Sequence, residues 1–174
     1  MVGSTDSPFG PVSGLGANAF TANPLLGEDA LEPMVEAAEA AGAGIFALVR
    51  TSNSGAADVE DLETPDGPVH EHLARMVDRF ADRLAGSTTA LSGMGAVVGA
   101  TAPEHISRLR ELMPRAVFLI PGVGAQGGTP DELGPAFAPG RAAAMITASR
   151  SIAGAPDPAA AADELRSAVW SVSG

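Results

Sequence analysis

The sequence predicts an α/β protein built on a parallel sheet. Apolar runs recur near residues 17–22, 44–49, 93–100, 117–120 and 142–147. Segments of helical periodicity lie between them. The runs are apolar throughout rather than alternating, as expected of strands covered by helices. Two architectures accommodate this pattern, a doubly wound open sheet and part of a (β/α)8 barrel. Both gather ligands at the C-terminal ends of the strands.

Residues 1–16 are rich in Gly, Pro and Ser and read as a loop lead-in; residues 17–174 form the folded body. The first strand ends at the breaker Asn23-Pro24. Over Glu28 to Ala41, Leu31, Met34, Val35 and Ala38 share one face. Pro33 suits only a first turn, so the regular helix is expected to begin near Glu32 and to close at Gly42. Gly44 to Val49 is a buried strand with a polar exit, Arg50-Thr51-Ser52-Asn53. A helix follows from Val69 to Leu84, with Leu73, Met76, Val77 and Phe80 inward. After the strand 93–100, Thr101 stands where a helix cap belongs, and Ile106, Leu109 and Met113 mark that helix's apolar face. The strand 117–120 leads into a Gly-rich loop at 121–128 and a short helix over 130–137. The strand 142–147 exits through Ala148-Ser149-Arg150-Ser151, and a last helix runs from Pro158 to about Trp170.

Composition removes several chemistries. All ten basic residues are Arg, and the chain holds neither Lys nor Cys. No thiolate nucleophile, cysteine metal site or lysine Schiff base can come from it. A net charge of −11 and a pI near 4.5 argue against nucleic acid or an anionic membrane as partner. The N-terminal residues lack a basic region followed by an apolar one, and no apolar run approaches membrane-spanning length. A soluble, cytoplasmic protein is expected.

The polar signals fall at strand exits. Gly122-x-Gly124-x-x-Gly127 follows a strand, as a dinucleotide fingerprint does. The ribose-binding acid expected about 20 residues later is missing, however. The glycines fit a backbone cradle for an anion, or simply a tight turn needing positive φ. Ser149-Arg150 ends the last strand, where barrels often bind phosphate and where a guanidinium can grip it with two hydrogen bonds. A surface ion pair is the alternative role for Arg150. His70 and His72 diverge on a helix and His105 is distant in sequence, so no metal site is expected. Glu60, Asp61 and Glu63 read as a solvated acidic run.

Five segments then occur in a telling order: Asn23-Pro24-Leu25-Leu26-Gly27, Gly44-Ile45-Phe46-Ala47-Leu48-Val49-Arg50-Thr51-Ser52-Asn53, Val97-Val98-Gly99-Ala100-Thr101, the loop Pro121-Gly122-Val123-Gly124-Ala125-Gln126-Gly127-Gly128, and Ser149-Arg150. Together they resemble the later part of the orotidine 5′-phosphate decarboxylases, in their longer bacterial form. The resemblance implies an incomplete (β/α)8 barrel holding about strands four to eight. It implies phosphate binding by Gln126 and Arg150, with the backbone N–H groups of Ser149 and Arg150 assisting. It implies that Ser52 meets the pyrimidine ring and that Pro121 lines the base pocket. It further implies a homodimer, no metal or organic cofactor, and conversion of orotidine 5′-phosphate to UMP in pyrimidine synthesis.

One departure bears on activity. The family's catalytic Asp-x-Lys-x-x-Asp motif is absent, so no catalytic residue is assigned and the chain is expected to be inactive by itself. Arg50 cannot replace the lysine, because its proton is held too tightly for a general acid near neutral pH. Met1-Val2-Gly3-Ser4-Thr5 resembles the segment that follows that motif, which would make Thr5 the threonine reaching a partner's site. The alternative is a nucleotide- or phosphate-binding protein without turnover, or a fragment completed by a missing first half. Five strands of a barrel would leave two open sheet edges, predicting low solubility or association.

Overall fold

Five strands form one parallel sheet in strict sequence order, and that order decides between the two architectures. A computed structural model describes residues 4–174. In chain order the elements are β1 (Ser4–Ser7), β2 (Gly10–Ser13), β3 (Ala19–Ala22), α1 (Glu28–Ala41), β4 (Gly44–Arg50), β5 (Glu63–Thr64), β6 (Gly67–Pro68) and α2 (Val69–Arg79). Then follow β7 (Ser92–Val98), α3 (Ile106–Leu112), β8 (Ala116–Ile120), β9 (Ala144–Ile146), α4 (Arg150–Ala153) and α5 (Pro158–Val172). The main sheet runs β3-β4-β7-β8-β9 with every neighbouring pair parallel. A doubly wound sheet reverses its order partway. This one does not, as in a barrel wall.

Burial along the strands agrees. In β4, Ile45, Ala47 and Val49 are fully buried, while Phe46 and Leu48 between them are half-buried. In β8, Phe118 and Ile120 are fully buried and Val117 and Leu119 half-buried. One face of the sheet therefore joins the core formed with Leu31 and Val35 of α1, Val77 of α2 and Leu109 of α3. The apolar runs promised cover on both faces. Only the central strand β7 is buried nearly throughout, where the Phe46 ring lies so close to Gly95 that a Cβ there would meet it at 2.7 Å.

Several elements depart from expectation. The lead-in holds an exposed antiparallel hairpin, β1–β2, in which Ser7 Oγ donates to the Gly10 carbonyl across the turn. Helix α1 starts at Glu28 and contains Pro33. Glu28 and Asp29 favour its positive end, and burial of Leu31, Val35 and Ala38 offsets the hydrogen bond lost at the proline. Met34 is 37% exposed rather than inward. Gly42 closes the helix in the left-handed conformation, as expected. Helix α2 ends at Arg79, and Phe80 and Ala81 stay buried in the turn beyond it. Residues 130–137 form two 3-10 turns instead of a helix, since Gly134 and Pro135 interrupt regular bonding. Thr101 caps nothing; its hydroxyl donates to the Ser52 carbonyl at 3.2 Å.

No helix among the described residues is long and apolar enough to cross a membrane.

Candidate functional site

The loop after β8 is shaped by its glycines. Gly122, Gly124 and Gly127 have φ of +107°, +79° and +98°, values that L side chains rarely adopt. The loop closes on itself: the Gly124 N–H donates to the Gly128 carbonyl at 3.0 Å and the Gly128 N–H to the Gly122 carbonyl at 3.1 Å. Gly128 has ordinary φ but no room. A Cβ there would lie 2.7 Å from the Ala100 Cβ and 2.9 Å from two carbonyl oxygens. Gly128→Ala is therefore expected to cost about 1–3 kcal/mol, measured as a lowered urea midpoint. An unchanged midpoint would show the loop to be loosely held.

This loop meets the exits of β4 and β9. Pro121, Gly122, Gln126, Ser149 and Arg150 line a cavity of about 130 Å³. Beside it, Arg50, Ser52, Asn53, Thr101, Gln126 and Arg150 line a wider one of about 500 Å³. Gln126 and Arg150 thus border both. Ser52 Oγ donates to Gln126 Oε1 at 3.0 Å, joining residues 74 apart in sequence. The residues singled out by sequence, Ser52, Pro121, Gln126, Ser149 and Arg150, come together. Thr5 does not join them: it lies exposed in β1, opposite Val12, and residues 1–3 of its matching segment lie outside the described residues.

Arg150 is distinguished by what it lacks. Seven arginines form ion pairs with carboxylates, Arg110 binds backbone carbonyls, and Arg141 stacks on Trp170. The Arg150 guanidinium has neither a carboxylate nor a hydrogen-bond partner among the described residues, which disposes of the surface ion pair. It opens α4, and first-turn N–H groups have no intrahelical acceptor. A free guanidinium, such N–H groups and a Gly-rich loop around one cavity suit an anion.

The acidic run is not simply solvated. Asp61 binds Arg50 through both oxygens, at 2.7 Å from Nε and 2.9 Å from Nη2. Glu60 accepts from the Thr51 N–H at 2.8 Å, and its Oε1 shares the Thr51 hydroxyl, at 3.0 Å, with Asn53 Oδ1 at 2.7 Å. The Arg50 hydrogen bond holds the Asp61 carboxyl below its ordinary range, against an opposing contribution from burial. His70 and His105 face each other with ring centroids 4.4 Å apart, and both approach Asp61 Oδ1, at 3.2 Å and 3.9 Å. Sequence distance concealed this cluster. Asp61, His70 and His105 have metal-binding donor types. Here, however, Asp61 is committed to a guanidinium and His70 Nδ1 lies 2.9 Å from the Glu60 carbonyl. A cation would have to sit beside Arg50.

Burial, and then the neighbouring His70, push the His105 imidazole below its ordinary value of 6.5. The unfolded chain therefore takes up this proton before the folded one as pH falls. The stability contribution is full above about pH 6.5 and declines below it. The depressed Asp61 adds a second loss in more acidic solution, below its ordinary value of 3.8. Urea melts from about pH 8 to about pH 5 should show falling stability, with a flatter profile in His105→Gln. Stability that rises over this range would contradict the assignment.

Comparison with known proteins agrees with this geometry. Residues 11–165 match the family model described as "Orotidine 5′-phosphate decarboxylase / HUMPS family". The orotidine 5′-phosphate decarboxylase of Rhodopirellula baltica is 39% identical over 137 residues, covering 79% of this chain and 45% of that protein. That of Haloarcula marismortui is 46% identical over 115 residues, covering 66% and 38%. Among solved structures, Leishmania donovani UMP synthase superposes with a TM-score of 0.77 at 32% identity, covering 91% of this chain and 34% of that one. The L. donovani OMP decarboxylase gives 0.76 at 31%, covering 91% and 58%. The chain spans less than half the length of these curated relatives. With its sheet order, one-sided helical cover and strand-end loops, the match along most of its length places the chain in the orotidine 5′-phosphate decarboxylase / HUMPS family, as part of a (β/α)8 barrel.

Proposed function

We propose that this chain is the nucleotide-gripping part of an orotidine 5′-phosphate decarboxylase of pyrimidine synthesis. The observation that carries this is Arg150, an unpaired guanidinium at a helix start, across one cavity from the Gly122–Gly128 loop. Arg150, Gln126 and the N–H groups of Ser149 and Arg150 hold the 5′-phosphate. Ser52 and Pro121 face the pyrimidine, and Gln126 spans the two subsites through its contact with Ser52. Phosphate binding remote from the reacting carbon is a way to stabilise a transition state.

Decarboxylation needs a proton for C6 of the ring. The family supplies it from a lysine, and this chain has none. It therefore binds orotidine 5′-phosphate and UMP without turnover unless an Asp-x-Lys-x-x-Asp segment is provided. A second copy is the natural partner, with Thr5 on the exposed hairpin reaching its site, and the cytoplasm is the setting. Binding by this chain needs no cofactor.

Calorimetric titration with UMP and with uridine tests this. UMP should bind at least about 30-fold more tightly, since a charge-assisted phosphate grip is worth about 2 kcal/mol or more. Orotidine 5′-phosphate should bind without losing its orotate absorbance. Equal affinities for UMP and uridine would overturn the phosphate assignment.

A further inference from the structure

We infer that Glu60 and Asp61 are positioning residues for the pyrimidine subsite, acting through the Thr51–Ser52 peptide. This rests on the nucleotide reading above and deepens it. Neither residue lines the cavity that contains Ser52.

Thr51 is held on three sides. Its N–H donates to Glu60 Oε2 at 2.8 Å, and its hydroxyl lies 3.0 Å from Glu60 Oε1 and 2.7 Å from Asn53 Oδ1, which share its one proton. Its carbonyl accepts from Arg50 Nη1 at 2.7 Å. Arg50 can hold that carbonyl in a fixed direction because Asp61 locks the other edge of its guanidinium with two bonds. Arg50 is 7% exposed, so its charge needs this partner. The acidic pair is anchored in turn, as the Glu60 carbonyl accepts the His70 N–H at 2.8 Å at the start of α2.

The next peptide is also fixed. The Ser52 carbonyl accepts from Thr101 Oγ1 at 3.2 Å. Gly99 packs so closely that a Cβ there would lie 2.8 Å from the Ser52 Cα, closing one direction of movement. Ser52 Oγ is left in one place, 3.0 Å from Gln126 Oε1. A hydroxyl that must meet one edge of a planar ring requires such placement, because misalignment weakens a hydrogen bond steeply. The acidic pair thus sets where the base is read, while Arg150 and the Gly-rich loop hold the phosphate, joined to Ser52 only through Gln126.

The test separates the two subsites. The full chain, Asp61→Asn and Glu60→Gln are each titrated with UMP and with ribose 5-phosphate, which offers sugar and phosphate but no base. Each variant should weaken UMP about tenfold, the scale of one misplaced hydrogen bond, and leave ribose 5-phosphate within about twofold. In a Ser52→Ala background, Asp61→Asn should cause little further loss, because both changes remove the same contact. Equal weakening of both ligands, or of neither, would overturn the inference. If Asp61→Asn fails to fold with Arg50 unpaired, Glu60→Gln decides the question by the same comparison. Should the unaltered chain bind UMP no better than ribose 5-phosphate, the pyrimidine subsite itself would be wrong, a different failure.

Discussion

Arg150→Ala should weaken UMP binding roughly 30- to 150-fold, because a guanidinium–phosphate contact contributes about 2–3 kcal/mol. The size of the effect follows from the local electrostatics. In a protein of net charge −11, an incoming phosphate meets unfavourable long-range potential. Arg150 supplies the nearby positive charge that is not already neutralised, since Arg50 on the far side of the cavity is bound to Asp61. Gln126→Ala should cost less, about tenfold, as a neutral donor is lost. Arg150→Lys should recover part of the affinity, because an ammonium restores charge but not the two-pronged geometry. Unchanged UMP affinity in both alanine variants would remove the phosphate site from this loop.

Arg110→Met should destabilise the chain by about 3–5 kcal/mol, the cost of leaving several buried polar groups unpaired. Arg110 is 7% exposed and has no carboxylate partner among the described residues. Nη1 donates to the carbonyls of Met113 and Ala116 at 3.0 and 2.7 Å, and Nη2 to those of Ala136 and Ala143 at 2.8 and 3.1 Å. Its Cζ lies 3.7 Å above the Phe118 ring. One side chain thus ties the end of α3, the start of β8, a 3-10 turn and the approach to β9. Burial lowers its pKa to about 10, so the charge persists at neutral pH. Methionine fills comparable volume but removes the guanidinium donor from all four carbonyls, of which Met113 keeps the Ala116 N–H at 3.3 Å. The urea midpoint should fall with an unchanged m-value. A loss below about 1 kcal/mol would mean that water replaces the guanidinium there.

Much of this architecture was legible in the sequence. The apolar runs of β4 and β8 and the Gly-rich loop after β8 fell where expected, as did the polar strand exits. These features are local: each needs only a few consecutive residues to show its preference. Sequence pattern did not give the strand order, and the resemblance to a known family selected the barrel before the sheet could be seen. The hairpin over Ser4–Ser13 was hidden by Gly, Pro and Ser, which mark turns more strongly than exposed polar strands mark themselves.

Contacts between distant residues were not legible. Asp61 lies 11 residues from Arg50 and meets it where the loop after β4 folds back, and His105 lies on a different element from His70. An acidic run and two separated histidines carry no periodicity that could announce a partner. Arg110 has the same character. Its position beside Leu109 looks like a helix edge until four carbonyls from other segments converge on it.

The most direct measurement is a titration of the ¹⁵N-labelled chain with UMP, followed through its backbone amide resonances. Saturable shifts should appear at Ser52, across Gly122–Gly128 and at Ser149–Ser151, and in Arg150→Ala should need roughly 30- to 150-fold more UMP. Absence of saturable shifts, or shifts confined to other faces of the sheet, would contradict a nucleotide site at these strand ends.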